Sequence, residues 1–186
     1  MTFGIIATPG AADANSYVTE AEATNYIAEM ILNSDVQHWG TGNEDSRHRA
    51  LAAATQRLDR ERYLGARATD TQALQWPRTG VRKPDTYINT YSVGFPFRIT
   101  TDYFADTEVP EYIKRAQVEL AVYLHQNVEG LGLSGLEDYK SVSIGSISVT
   151  PNQFGATGAD RIPPMVERYL IGLRISGPGN IAIKRS

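Results

Sequence analysis

The sequence predicts a mainly α-helical fold: a small bundle of about four helices with an aromatic-rich, β-hairpin-like insertion and a second, short β-hairpin. Three observations predict it. Apolar residues recur at three- and four-residue steps in separate stretches, the period of a helix face. Those stretches open on cap residues, Thr19 and Asn43, or on prolines, Pro110 and Pro164. Between them lie segments rich in β-branched and aromatic residues, broken by glycine and proline. A chain of 186 residues, 41% hydrophobic and 21% charged, suits one core. The expected layout is a single domain over 1–174, with the insertion at 82–108 and the hairpin at 141–150, and a tail over 175–186.

Residues 1–18 have no periodic pattern and read as an irregular arm. Thr19-Glu20-Ala21-Glu22 is a capping box, with Val18 placed as a hydrophobic staple. The first helix runs from Glu20 to about Leu32, with Ala23, Tyr26, Ile27, Met30 and Ile31 on one face. Asn33–Gly42 reads as a connection containing Trp39. The second helix spans about Glu44 to Tyr63, capped by Asn43, with Ala50, Leu51, Ala54 and Leu58 as its stripe. Its other side carries Arg47, His48, Arg57, Arg60, Glu61 and Arg62. This is either a solvated face with salt pairing through Asp59 and Glu61, or a contact for phosphate or an acidic partner.

Gly65 ends that helix. Thr69 or Asp70 can cap a short helical turn, and Trp76-Pro77 must then leave helical geometry. Residues 82–108 hold six tyrosines and phenylalanines among turn formers, with Thr86–Val93 and Phe97–Thr101 β-prone. The most strongly patterned helix follows at Val109–Asn127. Pro110 suits its first position, and Glu111 meets the positive end of the helix dipole. Val109, Ile113, Ala116, Leu120, Tyr123 and Leu124 form its wide apolar face. Val118 and Val122 fall on the opposite side, among Lys114, Arg115, Glu119 and His125, so the helix reads as having two partners. The second partner is either another part of the chain or a neighbouring copy.

Gly130, Gly132 and Gly135 match G-x-G-x-x-G, but they follow a helix instead of a strand and read as a connection. In Lys140–Thr150, Val142, Ile144, Ile147 and Val149 alternate with serines around a Gly145-Ser146 turn, the pattern of a two-residue hairpin. One such hairpin needs something to pack on. A last helix, Met165–Arg174, follows Pro163-Pro164. Ser176-Gly177-Pro178-Gly179 then links it to a short apolar and basic strip, Asn180–Arg185.

The chemistry of catalysis is missing from the pattern. There is no cysteine, and His38, His48 and His125 stand in no metal-ligand spacing. Asp59 and Glu61, two apart on a helix, point away from each other. No catalytic, cofactor-binding or metal residue is therefore assigned, and an enzyme is not expected. The net charge of −3 disfavours a dedicated nucleic-acid binder without excluding a local basic patch. No apolar run is long enough for a bilayer, so no membrane partner is expected. The lack of thiols fits assembly in a reducing cytoplasm.

Three segments together resemble a known family: Asp13-Ala14-Asn15-Ser16-Tyr17-Val18 before the first helix, Gln72-Ala73-Leu74-Gln75-Trp76-Pro77-Arg78-Thr79-Gly80-Val81 after the second, and Val109–Ala121 opening the third. They are similar to the tailed-bacteriophage family labelled DnaT-like single-stranded DNA-binding protein, encoded among head and neck genes. Ser143–Val149 and Pro164–Arg174 resemble pieces of the broader head–tail connector (adaptor) proteins. The similarity spans roughly residues 13–174; the insertion at 82–108 is longer than expected, and the tail lies beyond the shared pattern.

The resemblance implies a structural adaptor of the virion neck, assembled in the host cytoplasm as a ring homo-oligomer, a dodecamer by analogy. The ring would sit between the portal protein and the next tail or nozzle protein and pass the packaged DNA through its channel. Trp76, Pro77, Arg78 and Gly80 are its structural signature. Under this reading the portal contact is assigned to Ile175, Asn180, Ile181, Ile183, Lys184 and Arg185, and the subunit–subunit contact to Val118, Val122, Ile144 and Ile147. The alternative is a single-stranded-DNA-binding protein that combines the arginines of the second helix with the tyrosines and phenylalanines of 87–104.

Overall fold

The computed structural model describes residues 3–30, 33–84, 102–126, 142–144, 147–149 and 162–175. Five helices and two short antiparallel ribbons occupy them: α1 (Glu20–Ala28), α2 (Asn33–Thr41), α3 (Glu44–Leu58), β1 (Ala66–Arg67), β2 (Arg78–Thr79), α4 (Glu111–Gln126), β3 (Val142–Ile144), β4 (Ile147–Val149) and α5 (Pro164–Leu170). The fold is the expected helical bundle with a hairpin, with one helix more than the sequence predicts.

The starts of α1 and α3 are fixed locally. Thr19 Oγ1 accepts from the Glu22 amide at 3.2 Å, and the Glu22 carboxylate accepts from the Thr19 amide at 2.9 Å, closing the capping box. Asn43 Oδ1 accepts from the Ser46 amide at 2.7 Å. Each such cap stabilises its helix by about 1 kcal/mol. Prolines do the same work at α4 and α5. The Pro110 carbonyl accepts from the amides of Ile113 and Lys114, and that of Pro163 from Val166 and Glu167.

The additional helix is α2, in the stretch expected to be a connection. Gly40, Thr41 and Val36 give it weak intrinsic propensity. Tertiary contacts hold it instead. Trp39 is buried, its ring centroid 5.5 Å from that of His125 on α4, and His38 Nε2 lies 3.3 Å from the His125 carbonyl. Three other expectations are corrected. α3 stops at Leu58, not Tyr63, and Asp59 is its C-cap. The short helical turn placed at 69–70 is absent, and the segment is instead a ribbon closed by Ala66↔Thr79 and Arg67↔Arg78. Gly65 belongs to that ribbon: its φ is +68°, and a Cβ there would lie 2.1 Å from the Thr79 carbonyl oxygen. The last helix ends at Leu170, short of Arg174, and Gly172 turns the chain with φ +79°.

α4 is the centre of the bundle and touches α1, α2, α3 and α5. Leu51 and Leu58 of α3, Ile113 and Leu120 of α4, and Val166 and Leu170 of α5 are fully buried together with Ile27 of α1. Each contributes roughly 1.5–3 kcal/mol of apolar transfer. The wheel of α4 differs from expectation. Tyr123, placed on the core face, is 37% exposed, whereas Val118 and Val122, placed on the open side, are 1% and 5% exposed. The reason is that α1 and α5 of the same chain flank that side.

Gln117 is 0% exposed and is a buried polar tie. Its Oε1 accepts from the Tyr17 amide at 3.0 Å, and its Nε2 donates to Ser16 Oγ at 2.7 Å and the Leu51 carbonyl at 3.1 Å. One amide thus locks the N-terminal arm to α3 and α4. β3 and β4 pair as Val142↔Val149, Ser143↔Ser148 and Ile144↔Ile147, the register expected of the two-residue hairpin. Among the described residues, no helix is long and apolar enough to cross a membrane.

Candidate functional site

The Trp-Pro-Arg signature folds at the C-terminal end of α3. Trp76 is 1% exposed and meets two rings edge-on, Tyr63 at 5.5 Å and Phe104 at 6.4 Å between centroids. Its bond to Pro77 is cis. Gly80 has φ +73°, the freedom expected of it. Arg78, only 7% exposed, is the structural centre of this end. Its Nε donates to the Leu64 carbonyl at 2.7 Å, and its Nη2 to the carbonyls of Gly65 at 2.8 Å and Tyr63 at 3.3 Å. Its Nη1 donates to Gln75 through both the carbonyl, at 3.2 Å, and Oε1, at 3.0 Å. Five oxygens thus surround the guanidinium, all of them neutral. Burial lowers its pKa from the ordinary arginine value, yet arginine remains charged.

Other arginines of this end face water. Arg62, Arg67 and Arg82 are exposed and Arg57 is half-buried. Backbone pairings gather them: Tyr63 bridges to Arg174, Arg82 bridges to Tyr103, and the Ile175 amide donates to the Arg62 carbonyl at 2.7 Å. Arg174 is held by Glu61 and Glu167, both at 3.4 Å. Arg57, Arg62 and Arg82 have no carboxylate partner among the described residues, whereas Arg47, Arg49 and Arg115 are all ion-paired. Exposed apolar side chains share the surface, namely Leu64 at 38%, Tyr103 at 44%, Ile175 at 52% and Ile171 at 69%. Carboxylates are also present here: Asp102 pairs with Lys83 at 3.0 Å, next to the Arg82–Tyr103 bridge.

Asp59 sits beneath it, accepting from the Tyr17 hydroxyl and from the Gln75 amide. Burial pushes its pKa up to about 6, although both hydrogen bonds oppose the rise. Its ionised form is therefore disfavoured by folding. The folded state holds the extra proton between the unfolded value near 4 and about 6, so stability falls as pH rises through that window. Through Asp59, unfolding at pH 5 should cost more than at pH 7, by about 1 kcal/mol. Below about pH 4.5 the trend reverses as Glu20 and Glu22 protonate. Burial alone would raise those two, but hydrogen bonds from Arg47 and His48, and from Thr19 and Lys114, hold them low. Asp59→Asn keeps an acceptor for Tyr17 and should flatten the slope between pH 4.5 and 6.5 in denaturant titrations. An unchanged slope would remove Asp59 as its source.

A second surface is a groove of about 430 Å³ between α1, α4 and α5. Val118 and Val122 form its floor, and Met165, 51% exposed, stands at its edge. The lateral contact assigned to the two valines is thus corrected in geometry: they are covered within the chain, and only the groove above them is open. Ile144 and Ile147 are backbone partners in the β3–β4 ribbon. Ile175 is exposed at the arginine-bearing end, while Asn180, Ile181, Ile183, Lys184 and Arg185 lie outside the described residues, as does most of the aromatic insertion.

A third cluster was not expected. Glu20, Glu44 and His48 bring ligand atoms within 4.8 Å of one another. Two of the three are already committed: His48 Nδ1 meets the Phe3 carbonyl at 2.6 Å and Nε2 meets Glu20 at 3.0 Å, while Arg47 holds the other Glu20 oxygen at 2.7 Å. This is a tie between the arm, α1 and α3. His48, expected on the solvated face of α3, is buried by it.

Comparison with known proteins adds one finding. The model of a family described as "Putative DnaT-like ssDNA binding protein" matches residues 1–186. Neither a curated protein nor a solved structure matches the chain.

Proposed function

Because the chain belongs to this DnaT-like family, we propose that it binds single-stranded DNA, and that the arginine-bearing end beyond α3 makes the contact. The observation that carries the reading is Arg82, bridged to the exposed Tyr103 and, like the exposed Arg62, without a carboxylate partner among the described residues. Single strands are held by cations that follow the phosphates and by rings on which bases stack. No base is read, and no catalytic step is assigned.

Binding of a labelled oligo-dT, followed by anisotropy across salt concentrations, tests this. The logarithm of the affinity should fall linearly with that of salt, by about 0.7 per phosphate neutralised. Arg62→Glu and Arg82→Glu, both at exposed positions, should each weaken binding at least tenfold and make the salt dependence shallower. Binding that ignores salt, or that both variants leave unchanged, would end the reading.

A second reading is the structural adaptor of a tailed-phage neck: a ring between portal and tail or nozzle protein, resident in the virion, with DNA passing through without sequence readout. The open groove on α1, α4 and α5 favours it, since an exposed apolar cleft suits assembly. A chain that co-purifies with portal rings and shows no salt-dependent oligonucleotide binding would move the conclusion to the adaptor.

A further inference from the structure

α2 meets α4 at a corner that holds two histidines. His38 of α2 and His125 of α4 stand edge-on, with 5.0 Å between ring centroids, and the Trp39 ring lies 5.5 Å from that of His125. The hydrogen bonds assign the protons. His38 Nε2 lies 3.3 Å from the His125 carbonyl, which can only accept, so this nitrogen carries a proton. Ser46 Oγ donates to the Asn43 carbonyl at 2.8 Å, so at 3.2 Å it accepts from His125 Nε2. A neutral His125 is therefore protonated at Nε2 and turns the lone pair of Nδ1 inward. Nδ1 is buried with no hydrogen-bond partner among the described residues, and so is Trp39 Nε1.

A second proton on His125 is poorly accommodated here. It would sit on Nδ1, facing no acceptor among the described residues, and would bury a charge. The ring packs tightly on the turn before α3: a Cβ on Gly42 would lie 2.6 Å from Nε2. Arg47 donates to the carbonyl of that same glycine at 2.7 Å and brings positive charge. The nearby carboxylates are turned to other groups. Glu20 of α1 holds Arg47 and His48, Asp45 of α3 holds Arg49, Glu44 stands with Glu20 and His48, and Glu119 of α4 accepts from Tyr169. Burial first, then His38 and Arg47, lower the His125 pKa from the ordinary histidine value.

α2 has weak intrinsic propensity, and its docking leaves the Trp39 N–H unmet, so a small added cost can open it. We propose that His38 and His125 form a pH-operated latch: α2 is docked on α4 while His125 is neutral, and protonation of His125 releases α2 while the other helices stay packed. Release carries Trp39 into water, where its indole N–H and both imidazoles find partners. The docked state binds fewer protons than the open one. Docking is therefore complete above the ordinary histidine value of about 6.5 and weakens as pH falls through it. Asp59 acts with the opposite sign over an overlapping range, since its protonation stabilises the whole fold.

Amide hydrogen exchange of the full-length chain, corrected for the intrinsic effect of pH on exchange, tests the latch. The opening constant of the α2 amides should rise about three- to tenfold from pH 7.5 to pH 5.5. Amides in the centres of α3 and α4 should change less, because Asp59 opposes His125 there. His125→Gln keeps a donor for Ser46, cannot take the proton, and should abolish the rise. Should that variant fail to fold, the His125 ring of the unmodified chain decides: its NMR titration should run below that of a free histidine and accompany the opening of α2. A rise that persists in His125→Gln, equal changes in α2 and the core, or a His125 ring that titrates at or above the ordinary value would overturn the proposal. The DNA reading is tested separately by Arg62→Glu and Arg82→Glu, which leave both histidines in place.

Discussion

Trp76→Ala is expected to lower the unfolding free energy by about 4 kcal/mol, the cost of removing a fully buried ring and leaving its cavity. The cavity would open between Tyr63 and Phe104, whose rings both meet Trp76 edge-on. Tyr63 follows the end of α3, and Phe104 closes the base of the long insertion through its amide bond to the Val81 carbonyl, so two regions lose their common anchor. Trp76→Phe separates packing from polarity. The indole Nε1 is buried with no hydrogen-bond partner among the described residues, so phenylalanine removes that donor as well as volume. It should cost only about 1–2 kcal/mol. Urea unfolding of the three proteins measures this directly. If the phenylalanine variant is as unstable as the alanine variant, the indole N–H is satisfied by bound water, and ring packing is not the main term.

Arg78→Met should cost about 3 kcal/mol. The methionine can fill the aliphatic part of the site, but it abandons five oxygens from Tyr63, Leu64, Gly65 and Gln75. Relief of the buried charge offsets part of the loss, and water can reach the exposed carbonyls, which keeps the cost below the sum of five charge-assisted bonds. Arg78→Lys tests geometry alone. An ammonium has three donors at one point and cannot span acceptors arranged around a planar fork. Lysine should therefore recover less than half of the loss. Full recovery would mean that charge, and not the fork, holds the α3 end to the β1–β2 ribbon. Neither substitution touches the arginines proposed to meet DNA, so oligonucleotide binding below the unfolding transition should persist.

The contrast between these two residues and the groove marks what could be read from the sequence. Caps and prolines announced α1, α3, α4 and α5, because their signals act within one helical turn of the residues that carry them. The β3–β4 register followed from Gly145-Ser146 for the same reason. The family was also legible, in segments such as Gln72–Val81 and Val109–Ala121, although the match covers 1–186 and so takes in the tail expected to lie beyond the shared pattern. α2 was hidden because its propensity is weak and its stability comes from Trp39 against His125, 86 positions away.

Tertiary structure alone decided which polar groups are inside. Gln117 ties α4 to Tyr17, separated by 100 positions, a contact no local pattern announces. Asp59 was read as a surface charge, and its raised pKa arises from burial, against the hydrogen bond it accepts from the Tyr17 hydroxyl. Arg78 was recognised as part of a signature, but its ring of carbonyls exists only because β1, β2 and the turn after α3 converge. The sequence by itself determined four of the five helices, the β3–β4 register and the family, since those depend on neighbours along the chain. The tertiary structure decided the buried polar ties, the arginine-bearing end and the groove, since each requires side chains brought together from distant segments, and burial is a property of the assembled neighbours.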